Sequence, residues 1–134
     1  MKLLLDTHTL LWHSADDPRM SSPAAALLID SANELFLSMA TLWEIAIKVG
    51  LGKLTLSSPY ISFMSRAISG YGLVVLPITL ADCDAYAGLP FPNRDHRDPF
   101  DRMIITHAVR NGLSALPSMW RSLTGVTPTA RRTP

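Results

Sequence analysis

Apolar residues along this chain gather in short dense runs that alternate with longer, spaced patterns. Lys2-Leu3-Leu4-Leu5 is a strand-length run, apolar on both faces as in a parallel strand covered on each side. Thr7–Ser14 follows as a short helix, broken by Asp16-Asp17-Pro18. Ser22-Pro23 reads as an N-cap with proline at the first helical position, opening a helix to about Ser31. Glu34–Leu37 is a second strand. Ser38 caps a helix whose Leu42, Ile45, Ala46 and Val49 keep helical spacing, and Gly50 and Gly52 end it. Ser58-Pro59 repeats the start signal, for a helix with Ile61, Met64 and Ile68 on one face and Gly70 as its stop. Leu73–Leu76 is the third strand, and Thr79 with Asp82 forms a capping-box start for a helix to about Ala87. A loop rich in proline and charge, Leu89–Arg97, leads to Asp98-Pro99, the cap and first residue of a helix that runs to Asn111 and stops at Gly112. Strands alternating with helices predict a three-layer α/β/α sandwich around a mostly parallel sheet.

With 134 residues, 48% hydrophobic and 17% charged, the chain is sized for one globular domain and too apolar for a disordered one. No apolar run has the length of a membrane span, and the N-terminus lacks the layout of a signal peptide. The single cysteine, Cys83, cannot form an internal disulfide, which points to a reducing cytoplasm; its place in an amphipathic helix predicts a small core residue. The net charge of +1 hides an asymmetry. Residues 1–101 hold all eleven acids and seven Lys or Arg, a net −4, whereas residues 102–134 hold five Arg and no acid, a net +5. A basic end can contact nucleic acid, or mark sequence of a different origin.

Four carboxylates stand where strand-like runs give way to helices, or inside the first turns of those helices: Asp6, Glu44, Asp98 and Asp101. Each has an ordinary structural role open to it. Asp6 can cap the next helix, Glu44 can pair with Lys48 four residues on, and Asp98 and Asp101 can serve as cap and first-turn acid. Acids far apart in sequence but all at such junctions can also converge at one edge of a parallel sheet, where open α/β folds bind ligands. Clustered carboxylates repel unless a cation lies among them, and without Cys or His partners a hard ion such as Mg²⁺ or Mn²⁺ suits them. A phosphoacceptor receiver domain is also α/β, but it needs adjacent acids at its first strand and an Asp after its third. Here Asp6 stands alone and Leu73–Leu76 leads into Pro77.

Three blocks in order, Leu3-Leu4-Leu5-Asp6-Thr7-His8-Thr9-Leu10-Leu11-Trp12, Ser38 to Lys53 around Leu42-Trp43-Glu44-Ile45-Ala46-Ile47-Lys48-Val49, and Arg97-Asp98-Pro99-Phe100-Asp101-Arg102, together with Leu76-Pro77-Ile78-Thr79, resemble the PIN domain family and its VapC-type toxins. The resemblance implies a Mg²⁺-dependent endoribonuclease, toxin of a toxin–antitoxin pair. Its partners would be a VapB-like antitoxin, an RNA substrate and a second copy in a homodimer. Asp6, Glu44 and Asp101 map onto the acids that surround the ion. Asp101 is the preferred third ligand because it precedes Met103-Ile104-Ile105, and Asp98 is a cap or supporting acid near the metal. Thr7 would steady a carboxylate or metal-bound water. Lys48, Lys53, Arg94, Arg97 and Arg102 are candidate phosphate contacts, and His96 is favoured over His8, His13 and His107 as an acid–base group.

The resemblance runs from residue 2 to about 113. Where the family continues with a strand and a Thr-x-Asp turn, this chain has Leu113-Ser114-Ala115-Leu116-Pro117-Ser118-Met119-Trp120, without an acid. The expected organisation is a PIN domain over 1–116 with an altered last strand, then an atypical basic, disordered tail over 117–134, with the composition of a frame lost near Asn111–Ala115. A catalytically impaired domain that keeps only antitoxin or partner binding is the alternative reading.

Overall fold

The computed structural model describes residues 1–90 and 98–115. Ten elements follow in order: β1 (Lys2–Leu5), α1 (Thr7–Ser14), α2 (Ser22–Ile29), β2 (Glu34–Ser38), α3 (Met39–Gly50), α4 (Tyr60–Tyr71), β3 (Val74–Leu76), α5 (Leu80–Gly88), α6 (Pro99–Asn111) and β4 (Ser114–Ala115). The strands form one sheet in the order β3-β2-β1-β4, and every pairing is parallel. This is the expected sandwich.

Side-chain alternation along the strands divides the core in two. Leu3, Leu5, Leu35 and Leu37 face one side, packed with Leu10 of α1, Leu28 of α2, Ile45 of α3 and Met64 of α4. Leu4 faces the other, with Ile104 and Ala108 of α6, Leu113, and the half-buried Phe36 and Leu76. A leucine run with no polar interruption is therefore what β1, central in the sheet, requires.

Several boundaries differ from the sequence expectation, each for a local reason. The α2 cap is Ser21, whose hydroxyl accepts from the Ala24 N–H, and the helix ends at Ile29. Ser58 does not cap α4: its hydroxyl accepts from the Arg66 guanidinium, and the helix starts at Tyr60 without a side-chain cap. Gly70 lies inside α4. The stop is Gly72, whose φ of +62° places it in the left-handed region where glycine carries no steric penalty. Cys83 is exposed on α5 and is not the core residue expected. The last strand, expected to be altered, does form in part: β4 pairs with β1 through Ser114 opposite Leu3 and Ala115 opposite Leu4. No helix among the described residues is long and apolar enough to cross a membrane.

Candidate functional site

Parallel strands all end on the same side of the sheet, so the residues after β1, β2 and β3 crowd one edge. Asp6 follows β1 and caps α1, its Oδ1 accepting from the Thr9 N–H at 2.6 Å, and it is 3% exposed. Glu44 lies in mid-α3 at 6% exposure. The Thr7 hydroxyl donates to Glu44 Oε1 at 2.6 Å, and Lys48 Nζ stands 3.0 Å from Oε2. The Glu44–Lys48 pair open to it in sequence therefore exists, but the acid is buried and shared with α1. Lys48 thereby lies at the site, whereas Lys53 is exposed beyond the end of α3.

Asp98 is exposed and caps α6, its Oδ1 accepting from the Phe100 N–H at 2.8 Å and the Asp101 N–H at 3.3 Å. Asp101, one turn into the helix, is half-buried, and its carboxyl is pushed up to about 6. Burial is the main cause; the charges of Asp98, Glu44 and Asp6 add to it, and His8 opposes them. Acids contributed by α1's cap, α3 and α6 thus share one electrostatic neighbourhood. As the side chains stand, no three of these groups among the described residues meet around an ion-sized point. Asp6 is turned to Thr9, and Glu44 to Thr7 and Lys48. The donor set nonetheless fits a hard dication, because it is all oxygen and its mutual repulsion is what such a charge relieves.

Arg102 is not the phosphate contact expected. It is buried, and its Nη2 donates to the carbonyls of Tyr86 at 3.2 Å and Leu89 at 2.8 Å while the guanidinium lies over the Tyr86 ring. It ties α6 to the end of α5. Arg94, Arg97 and His96 fall outside the described residues. Trp43, which precedes Glu44 on α3, is 59% exposed and meets Phe100 edge-on.

One buried cluster was not foreseen. His107 faces Ser38 Oγ through Nδ1 at 2.9 Å, and Asp82 Oδ2 and the Pro77 carbonyl through Nε2, each at 3.2 Å. Both groups at Nε2 are acceptors, so Nε2 carries the proton; Ser38, which already accepts from the Ala40 N–H, donates to Nδ1. Asp82 also accepts from the Thr79 N–H and the Arg110 guanidinium. Burial alone would raise the Asp82 carboxyl, but hydrogen bonds from Thr79, Arg110 and His107 outweigh it and hold the group well below the usual range. Serine, histidine and aspartate in a row invite a nucleophilic reading. All three are buried and Ser38 is spent capping α3, so the cluster joins β2, α5 and α6. His107 and Arg110, one turn apart on a helix whose apolar face holds Ile104 and Ala108, were the available signal.

Comparison with known proteins places these features. The family described as the PIN domain matches residues 3–119. The chain is similar to Ribonuclease VapC22 of Mycobacterium tuberculosis (strain ATCC 25618 / H37Rv), with 28% identity over 122 residues, 91% of this chain and 85% of that one. Its fold is similar to a chain in the crystal structure of VapBC2 from Rickettsia felis bound to a DNA fragment from their promoter. There the TM-score is 0.61 at 16% identity, covering 95% of this chain and 96% of the other. The family match continues past the expected break near residue 113 and takes in β4. A match that runs through every described element from the first strand to the last leaves one conclusion: the chain belongs to the PIN domain family.

Proposed function

We propose that this protein is a metal-dependent endoribonuclease, the toxin of a VapBC-type pair, whose cognate partner is a VapB-like antitoxin. The observation that carries the reading is that Asp6, Glu44 and Asp101, from α1's cap, α3 and α6, share one electrostatic neighbourhood at the carboxyl edge of a parallel sheet. Burial first, and then the charges of Asp98, Glu44 and Asp6, push the Asp101 carboxyl up to about 6. The similarity to a named ribonuclease and to a VapBC complex supports the class of substrate and partner.

Asp6, Glu44 and Asp101 would hold Mg²⁺ or Mn²⁺, with Asp98 outside them as cap and supporting charge. When bound, such an ion supplies Lewis acidity and an activated water for in-line attack on a phosphodiester. Thr7 fixes the Glu44 carboxylate by donating to one oxygen. Lys48 neutralises the other and would be the cation to meet a backbone phosphate. Asp98 holds the first turn of α6, and with it Asp101, in place.

The test is cleavage of single-stranded RNA by the purified protein with Mg²⁺ or Mn²⁺, against an EDTA control and an Asp101→Asn variant. Cleavage that requires metal and disappears in the variant is expected. Cleavage that survives EDTA, or none with either metal, overturns the reading.

A further inference from the structure

Each of the three proposed ligand acids has an aromatic ring within two residues, and those three rings, with Trp12, form two contacting pairs. His8 follows Asp6, Trp43 precedes Glu44, and Phe100 precedes Asp101. His8 is exposed on α1 and lies tilted on Trp12, with ring centres 5.5 Å apart. Trp12 in turn has the Arg19 guanidinium 5.0 Å over its ring, and Asp17 clamps Arg19 through both carboxylate oxygens. A cation, an indole and an imidazole therefore form an ordered stack whose outer member is open to solvent. The imidazole sits in the first turn of α1, two residues from Asp6, which caps that helix. The second pair closes the seam between α3 and α6: Trp43 and Phe100 meet edge-on at 5.3 Å.

Ordinary core packing does not account for these rings, because His8 and Trp43 remain open to solvent while partnered. Single exposed apolar side chains are common and need no explanation. Pre-oriented aromatic pairs beside a phosphodiester-cleaving centre are a different matter. A single strand presents π-faces on its bases and charge on its backbone, and proteins hold it by stacking the bases while the backbone runs between. We propose that His8–Trp12 and Trp43–Phe100 are base-stacking platforms for single-stranded RNA, which seat two nucleotides so that the phosphate between them lies over Asp6, Glu44 and Asp101. The proposal rests on the ribonuclease reading for its substrate. Because it uses ring faces and not base edges, it predicts tolerance of base identity at both positions.

The experiment measures binding of short labelled single-stranded RNAs, with one abasic nucleotide placed at successive positions, to an Asp101→Asn chain in Mg²⁺. Stacking contributes about 1–3 kcal/mol per base, so an abasic site at a platform should weaken binding by about 5- to 150-fold. Two such positions are expected. His8→Ala should erase the dependence at one and Trp43→Ala at the other, while His8→Tyr and Trp43→Tyr keep it. A flat abasic profile, or one that neither alanine variant alters, overturns the proposal. So does a Trp43→Ala chain that keeps its abasic profile but loses a protein partner, which would assign that pair to the partner. Metal-dependent cleavage with a flat profile would leave the nuclease reading standing without the platforms. A two-position profile with no cleavage would do the reverse.

Discussion

At Asp101 burial and charge act in the same direction, and the sign of the consequence can be worked through. Its carboxyl ionises at about 6 in the folded protein, whereas an unfolded Asp does so at about 3.9. The folded state therefore holds the proton more tightly, and the cost to stability grows as pH rises above about 4 and is complete above about 6. That cost fades as pH falls toward 4. Asp101→Asn should raise the thermal stability of the metal-free protein at pH 7.5, by on the order of 1–2 kcal/mol after allowance for solvent screening. The gain should vanish at pH 4; melts of both proteins across that range check it, and a gain independent of pH would mean that charge is not the cause. The same substitution should weaken Mn²⁺ binding in a calorimetric titration, as should Asp6→Asn, and unchanged affinity in both would remove the ligand assignment. Asp6, Asp98 and Asp101 stood out in sequence because each adjoins a local landmark, such as a strand end, a cap or a proline, whereas Glu44, in mid-α3, had only its motif. The exposure of Trp43 and the burial of Arg102 were not legible there, because both depend on how α3 and α6 are rotated against their neighbours.

Helix ends show where local code suffices and where it does not. Asp98-Pro99 starts α6 and Gly112 ends it as expected, because cap, proline and glycine act within a few residues of their own backbone. Asp98→Ala should cost about 1 kcal/mol as a lost cap. Its effect on metal affinity should be smaller than that of Asp101→Asn, and the reverse ranking would make Asp98 the main ligand. At α4 the same kind of signal misleads, since Arg66, eight residues on, occupies the Ser58 hydroxyl. The Asp82–His107–Arg110 cluster lies further out of reach: its partners stand 25 and 28 residues apart and meet only when α5 packs on α6. Asp82 has its pKa depressed by folding, so its stabilisation is fully present above about 3.9 and drains away as pH falls below that value. Asp82→Ala should cost about 2 kcal/mol or more at neutral pH, because it leaves buried donors short of an acceptor. Melting curves should show the gap between wild type and variant closing toward pH 3. A gap that stays constant would mean that packing, not charge, is what Asp82 contributes.

An all-parallel sheet must be covered on both faces, and that requirement made the whole fold readable from short apolar runs separated by helical ones. The closing edge was harder to read, because β4 is only two residues long and carries no hydrophobic alternation of its own. What identifies it is its register on β1, with Leu113 and Ala115 packed around Leu4. If that closure is what completes the sheet, shortening the chain should act in two regimes. A chain that ends at residue 119, where the family match ends, should melt at the temperature of the full-length protein. A chain that ends at Leu113 loses the partner of Leu3 and Leu4, bares an edge of β1, and should both melt earlier and aggregate through the unpaired strand. The five Arg among residues 102–134 predict a further difference that depends on salt. Of these, Arg121, Arg131 and Arg132 lie beyond residue 119 and are absent from the shorter chain. If they touch the phosphate backbone, full-length binding to RNA should fall more steeply with added salt than binding by the chain ending at 119. Equal salt slopes would confine phosphate recognition to the first 119 residues, where Lys48 stands beside Glu44.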